Sequence, residues 1–192
     1  MALTERPASW KFEIEMPEMG NSDSITVLSA EPAKESLEAI LYDGQIFEFT
    51  KSLSVSAEAR WAGEDVSVSV SVETAFSSPC SRCLAPSDIE IMNDFMYLYS
   101  LRKNEASGEK HEEDDSQVVT VSRWTRFLDI SDQVWESVIL SLPRQVLCSK
   151  DCRGLCPFCG KPLKEEKCGC SPDTLDPRFQ KLLGVRIEET QE

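Results

Sequence analysis

The stretch CSKDCRGLCPFCGKPLKEEKCGC, residues 148 to 170, holds six of the eight cysteines of a 192-residue chain, and the other two, Cys80 and Cys83, stand in SPCSRCLAP. Thiols at this density serve disulfides, redox exchange or metal binding. The start of the chain, MALTERPASWKFEIEM, lacks a basic stretch followed by an apolar run, and no segment approaches the roughly 20 apolar residues that span a bilayer. Together these features predict a soluble cytoplasmic protein without membrane contact. A reducing compartment disfavours structural disulfides and makes clustered Cys-x-x-Cys pairs metal sites more often than bridges.

Zinc needs four ligands at tetrahedral corners about 2.3 Å from the metal, and two close thiolate pairs on tight turns meet that need. CPFCG fits: Pro157 stiffens the turn between Cys156 and Cys159, and Gly160 permits the tight backbone that aims amides at sulfur. In CGC, Gly169 gives Cys168 and Cys170 the freedom to face one ion. That pairing leaves Cys80, Cys83, Cys148 and Cys152 for a second ion, which would join a strand turn to the exit of a helix. The other grouping puts Cys148, Cys152, Cys156 and Cys159 on one ion and Cys80, Cys83, Cys168 and Cys170 on the other. Compactness favours the first scheme, and spacing leaves both open.

Redox exchange is the competing chemistry. A redox Cys-x-x-Cys ordinarily opens a helix, whose terminus lowers the thiol pKa, whereas Cys80 follows an alternating strand and CPFCG sits in a Gly-rich loop. A thiol titrating well below ordinary cysteine would favour exchange. Other catalytic constellations are thin: there is no Gly-rich phosphate loop, and the only histidine, His111, lies in a polar stretch that points to solvation rather than ligation. All-cysteine sites are closed, so the ions read as structural and the protein as a non-enzyme.

The elements that must carry these cysteines are mostly strands. WKFEIEM alternates Trp10, Phe12, Ile14 and Met16 with charged residues, and ITVLS, residues 25 to 29, reads as a second strand. KESLEAILYDG has Leu37, Ile40 and Leu41 at helical spacing and ends at Gly44, which predicts one short helix. From Gln45 to Cys80 the pattern is β, and VSVSVSVETAF after GED, residues 63 to 65, predicts a hairpin with one dry and one wet face. DIEIMNDFMYLYS, residues 88 to 100, continues the sheet, so Cys80 and Cys83 fall in a strand-to-strand turn.

Residues 102 to 116 contain no large apolar side chain and read as a solvated acidic loop. In DISDQVWESVILSLP, residues Val134, Trp135, Val138, Ile139 and Leu142 share a helical face, with Ser131 as N-cap and Pro143 as the stop. The predicted architecture is α+β: a curved antiparallel sheet or partial barrel with a packed helix at 131–142, and a small cysteine-rich zinc-binding tail. The domain division is 1–143 and 144–186.

Net charge is −14, yet residues 144 to 186 carry nine basic and five acidic residues. A basic block can meet phosphate. Two four-thiolate zinc sites, each with a net charge of −2, would offset much of this surplus.

CSRCLAP, then an acidic loop, a helix ending in SLP, LCSKDCRGLCPFCGKPL, CGC and DPRFQKL together resemble the YceD family, from about Leu53 to Leu183. The resemblance implies a bacterial or plastid protein that supports accumulation of 23S ribosomal RNA, in ribosome assembly or RNA processing, with no established catalytic activity. It makes large-subunit RNA or its assembly intermediates the expected partner. Arg82, between the first two cysteines, is the first candidate contact, with hydrogen bonding to sulfur or a nearby acid as its alternative task. In DPRFQKLLG, Phe179, Leu182 and Leu183 would share a helical face and leave Arg178 and Lys181 elsewhere. With Arg153, Lys161, Lys164 and Lys167 they form the expected RNA-facing or partner-facing edge. A zinc-stapled adaptor that meets ribosomal proteins or a nuclease without touching RNA is the alternative, and the negative net charge suits it.

Overall fold

The computed structural model describes residues 4–19, 21, 23–101, 117–164 and 168–170. Its spine is an antiparallel hairpin of two long strands, β6 (Asp65–Pro79) and β7 (Pro86–Leu101). The period-two run of valines explains it: Val66, Val68, Val70 and Val72 are fully buried on one face of β6. Each such valine taken out of water stabilises the fold by roughly 1.5–3 kcal/mol. They sit in register with Val55, Ala57 and Ala59 of β5 (Ser54–Ala62) on one side and Phe95, Tyr97 and Tyr99 of β7 on the other. The opposite face is drier than alternation predicts, since Ser67 is buried and its neighbouring serines are half-buried.

Around this spine, β2 (Ile25–Ala30) pairs with β5, β4 (Gln45–Phe49) with the far end of β6, and β3 (Ile40–Tyr42) with β4. One pair is parallel: β8 (Val118–Val121) lies against the end of β7. A separate two-stranded sheet joins β1 (Glu13–Glu15) to β9 (Phe127–Asp129). Among the described residues the sheets do not close into a barrel. The α+β architecture is therefore a mostly antiparallel sheet with one packed helix.

The short helix expected over residues 34–44 does not form. Lys34–Ser36 is a single 3-10 turn, and Ile40–Tyr42 turns back on Gln45–Phe49. Asp43 and Gly44, at φ 48° and 76°, make the left-handed corner that an Asp-Gly pair favours in a two-residue hairpin, and that pairing outweighs the three apolar residues at helical spacing. The first strand is also shorter than its alternation suggests, although Trp10, Phe12 and Ile14 all reach the core.

Helix α1 runs Ser131–Ser141, one residue short of the expected end. Ser131 is its first helical residue rather than its cap. The Ser131 amide donates instead to the Asp129 carboxylate at 2.9 Å, and its hydroxyl accepts the Phe12 amide, so the serine ties the first strand segment to the helix. Val134, Val138 and Leu142 are buried, with Trp135 and Ile139 packed beside them. Tyr99 donates to the Gln133 side chain at 2.6 Å and fixes the helix on β7. Burial of its phenol raises the pKa above the ordinary range. Among the described residues no helix is long and apolar enough to cross a membrane.

Candidate metal centre

Strand β6 ends at Pro79, β7 begins at Pro86, and the two prolines face each other at the end of the ladder. Neither carries a backbone N–H, so the ladder stops there and the next six residues fold into a turn. In that turn the Cys80 amide donates to the Ala85 carbonyl at 2.8 Å, and the Leu84 amide donates back to the Cys80 carbonyl at 2.9 Å. CPFCG repeats the pattern. The Cys156 amide donates to Lys161 at 2.8 Å and the Gly160 amide to Cys156 at 2.9 Å. Both turns need a left-handed residue after the second cysteine, at φ 62° for Leu84 and 71° for Gly160. Glycine adopts this without strain, whereas leucine does so at a cost of about 1–2 kcal/mol.

The helix delivers the remaining ligands of the first turn. After Pro143 the chain passes Val146, whose carbonyl accepts the Ser81 amide at 2.8 Å and whose amide donates to the Ser81 hydroxyl at 3.2 Å. Gln45 also donates to that hydroxyl, so Ser81 gathers β4, the knuckle turn and the post-helix segment at one point. Cys148 and Cys152 then reach the turn. Cys83 and Cys148 stand 3.6 Å apart, and Cys80 and Cys152 stand 3.8 Å apart, sulfur to sulfur.

The thiols of Cys80, Cys83, Cys148 and Cys152 lie within 4.8 Å of one another, and so do those of Cys156, Cys159, Cys168 and Cys170. This is the first of the two groupings that spacing left open. A tetrahedron with metal–sulfur bonds of 2.3 Å has edges of about 3.8 Å, and the Cys83–Cys148 and Cys80–Cys152 separations of 3.6 and 3.8 Å match that edge. In the second group Cys156 and Cys168 are 3.3 Å apart. Each group could hold one metal ion.

In both groups the turn amides favour one thiolate. The backbone amide of Cys148, above all, holds the Cys80 thiol down to about 6, with the Arg82 and Cys83 amides helping and burial opposing. The amides of Cys159 and Phe158 likewise hold Cys156 down to about 6. In the same cluster Cys170 is pushed up to about 12, first by its hydrogen bond with Cys159 and then by burial. Four thiols this close cannot all ionise alone, and a divalent ion removes the conflict.

Low thiol pKa values also suit redox exchange. Here, however, the lowering comes from turn amides rather than a helix terminus, and Cys80 is fully buried, out of reach of a dithiol partner.

Among the described residues the Arg82 side chain meets neither sulfur nor acid. Its guanidinium donates to the Cys152 carbonyl at 2.9 Å, while its backbone amide points at the Cys80 sulfur at 3.5 Å. Gly154, at φ 75°, passes so close that a Cβ there would sit 3.2 Å from the Arg82 carbonyl oxygen. The Gly154 carbonyl accepts the Leu163 amide at 2.9 Å, and Leu155 bridges Pro162, so the same residue joins the first cluster to the stem of the second knuckle. Arg153, Lys161 and Lys164 are exposed on that stem and turn. Lys167, Arg178, Lys181 and His111, with the segments 102–116 and DPRFQKL, lie outside the described residues. Ser81, Gly154 and the left-handed Leu84 carry no clear signal in the sequence, where only the Gly after CR hints at a close approach.

The segment carrying this site, residues 68–185, matches the family model described as "Large ribosomal RNA subunit accumulation protein YceD". The chain belongs to the YceD family. Uncharacterized proteins of Mycobacterium bovis and Mycobacterium tuberculosis are each 30% identical to it over 155 residues, covering 79% of this chain and 68% of theirs. An uncharacterized protein of Mycobacterium leprae is 26% identical over 175 residues, or 86% of this chain and 75% of its own. No solved structure matches. Both YceD cysteine pairs of Cys-x-x-Cys form fall inside the matched segment, as do the four other thiols.

Proposed function

We propose that this chain is a non-enzymatic factor that supports 23S ribosomal RNA accumulation and large-subunit biogenesis, with two structural zinc ions holding its working surface. The family description supplies the RNA, and the convergence of eight thiols into two four-thiol groups carries the rest of the reading. Cys80, Cys83, Cys148 and Cys152 would hold one ion, and Cys156, Cys159, Cys168 and Cys170 the other. All-sulfur donor sets of this size fit zinc, and a closed four-ligand shell leaves no position for a reacting water. What zinc supplies is a fixed shape.

The first ion would belong both to the β-rich residues 1–143 and to the tail 144–186, and would lock the tail against the β6–β7 turn. Between residues 144 and 170 the sequence carries Arg144, Lys150, Arg153, Lys161, Lys164 and Lys167 against Asp151, Glu165 and Glu166. Arg144 pairs weakly with Asp43 at 3.8 Å, and Lys150, Arg153, Lys161 and Lys164 form no ion pair among the described residues. That locked, basic surface is the region suited to phosphate, on a protein that is otherwise acidic.

Depletion of the protein tests the reading through the ratio of 23S to 16S ribosomal RNA. A fall rescued by the wild-type chain but not by Cys80→Ser/Cys83→Ser is the expected result. An unchanged ratio after depletion would refute a role in large-subunit RNA accumulation.

A further inference from the structure

The two knuckle turns carry different residues before the second cysteine: Arg82 in the first and Phe158 in the second. Arg82 is engaged by the Cys152 carbonyl. Phe158 has no such use, being 57% exposed and outside both apolar clusters and every aromatic pair of the described residues. The turn does not require it, since the same hydrogen-bond frame forms around an arginine. A phenylalanine this exposed, at the tip of a turn beside a four-thiol group and outside the core among the described residues, presents a flat face to solvent. Lys161 stands across the stem from Cys156, next to that tip, and Arg153 and Lys164 lie at the foot of the same stem, all exposed.

An exposed aromatic face flanked by cations that form no ion pair among the described residues is the arrangement that receives an unstacked base and its neighbouring phosphates. We infer that the Cys156–Gly160 knuckle binds single-stranded RNA, with a base stacked on Phe158 and the adjoining phosphates met by Lys161, Lys164 and Arg153. This inference rests on the proposed role in large-subunit RNA accumulation and specifies the form of RNA recognised. Bases within a duplex are already stacked on both faces, so loops, bulges and unpaired ends of an immature RNA are the fitting partners. Stacking is tolerant of base identity, so preference for strandedness exceeds preference for sequence.

The test uses the full metal-loaded chain and fluorescence anisotropy with a short labelled single-stranded RNA and its duplex. Phe158→Ala is expected to weaken single-strand binding by about tenfold or more and to leave duplex binding unchanged, while Phe158→Tyr restores it. Equal zinc content in wild type and both variants separates a lost stacking face from a lost turn. Wild-type affinity in Phe158→Ala, with Lys161→Ala/Lys164→Ala weakening both RNAs alike, would overturn the stacking inference and leave the broader role standing. If the wild-type chain binds neither RNA, direct recognition is overturned as well, and Phe158 becomes a protein-contact residue.

Discussion

The two four-thiol clusters share one turn design and differ in what they join. The first brings the β6–β7 turn to a segment 65 residues away, with Cys80, Cys83 and Cys152 buried beneath Leu147 and Leu155. The second gathers Cys156 and Cys168, 12 residues apart, and leaves Cys159 exposed. By loop-closure entropy alone, an ion fixing the longer span would stabilise the fold by about 4 kcal/mol and one fixing the shorter by about 3 kcal/mol. Burial would widen that gap. On the proposed two-ion reading the first cluster holds the fold together, and the second holds a surface in shape.

The sharpest way to break this comparison is to remove one ligand from each cluster. Cys83→Ser is expected to lower stability by about 4 kcal/mol or more, a loss of roughly 10 °C or more in melting temperature, because it unties the tail and leaves a hydroxyl in a buried site. Cys159→Ser should cost no more than about 3 kcal/mol, because its loop is short and its side chain already meets water. Thermal unfolding of the two zinc-loaded variants decides, and the reverse order would contradict the division of labour.

A smaller effect probes the joint between the clusters. Gly154→Ala combines a left-handed backbone with a Cβ placed 3.2 Å from the Arg82 carbonyl, so it is expected to cost about 1–2 kcal/mol. Denaturant unfolding measures it. A neutral substitution would mean that the two clusters do not meet at this residue.

The smallest effects compare the turns themselves. Gly160→Leu finds open space and is penalised only for its φ of 71°, a loss of about 1 kcal/mol. Leu84→Gly relieves the corresponding strain but frees the unfolded chain, so its net change stays within about 0.5 kcal/mol. A large loss on Leu84→Gly in the same unfolding measurement would show that the Leu84 side chain, although 66% exposed, supports the first turn.

Much of this was legible in the chain. Strict alternation of Val66 to Val72 announced the central strand, because one side of a pleated strand must be dry, and the proximity of CPFCG to CGC announced a compact four-thiol group. Legibility failed where local pattern competed with pairing. Leu37, Ile40 and Leu41 suggested a helix, but Asp43 and Gly44 set a hairpin corner that delivered Ile40 to the core. Ser131 looked like a cap because serine before an apolar periodicity often is one, yet the carboxylate two residues earlier took that task. The partnership of Cys80 and Cys83 with Cys148 and Cys152 depends on where α1 ends in space, and the parallel strand Val118–Val121 depends on a neighbour fixed only by tertiary packing. Spacing carries no information about either.

The most direct test of the central claim is to count zinc on the full chain by native mass spectrometry, in the wild type and in Cys159→Ser. Two zinc ions on the wild type and one on the variant would match two separate four-thiol sites with the second selectively broken. One ion or none on the wild type, or loss of both from Cys159→Ser, would contradict that account.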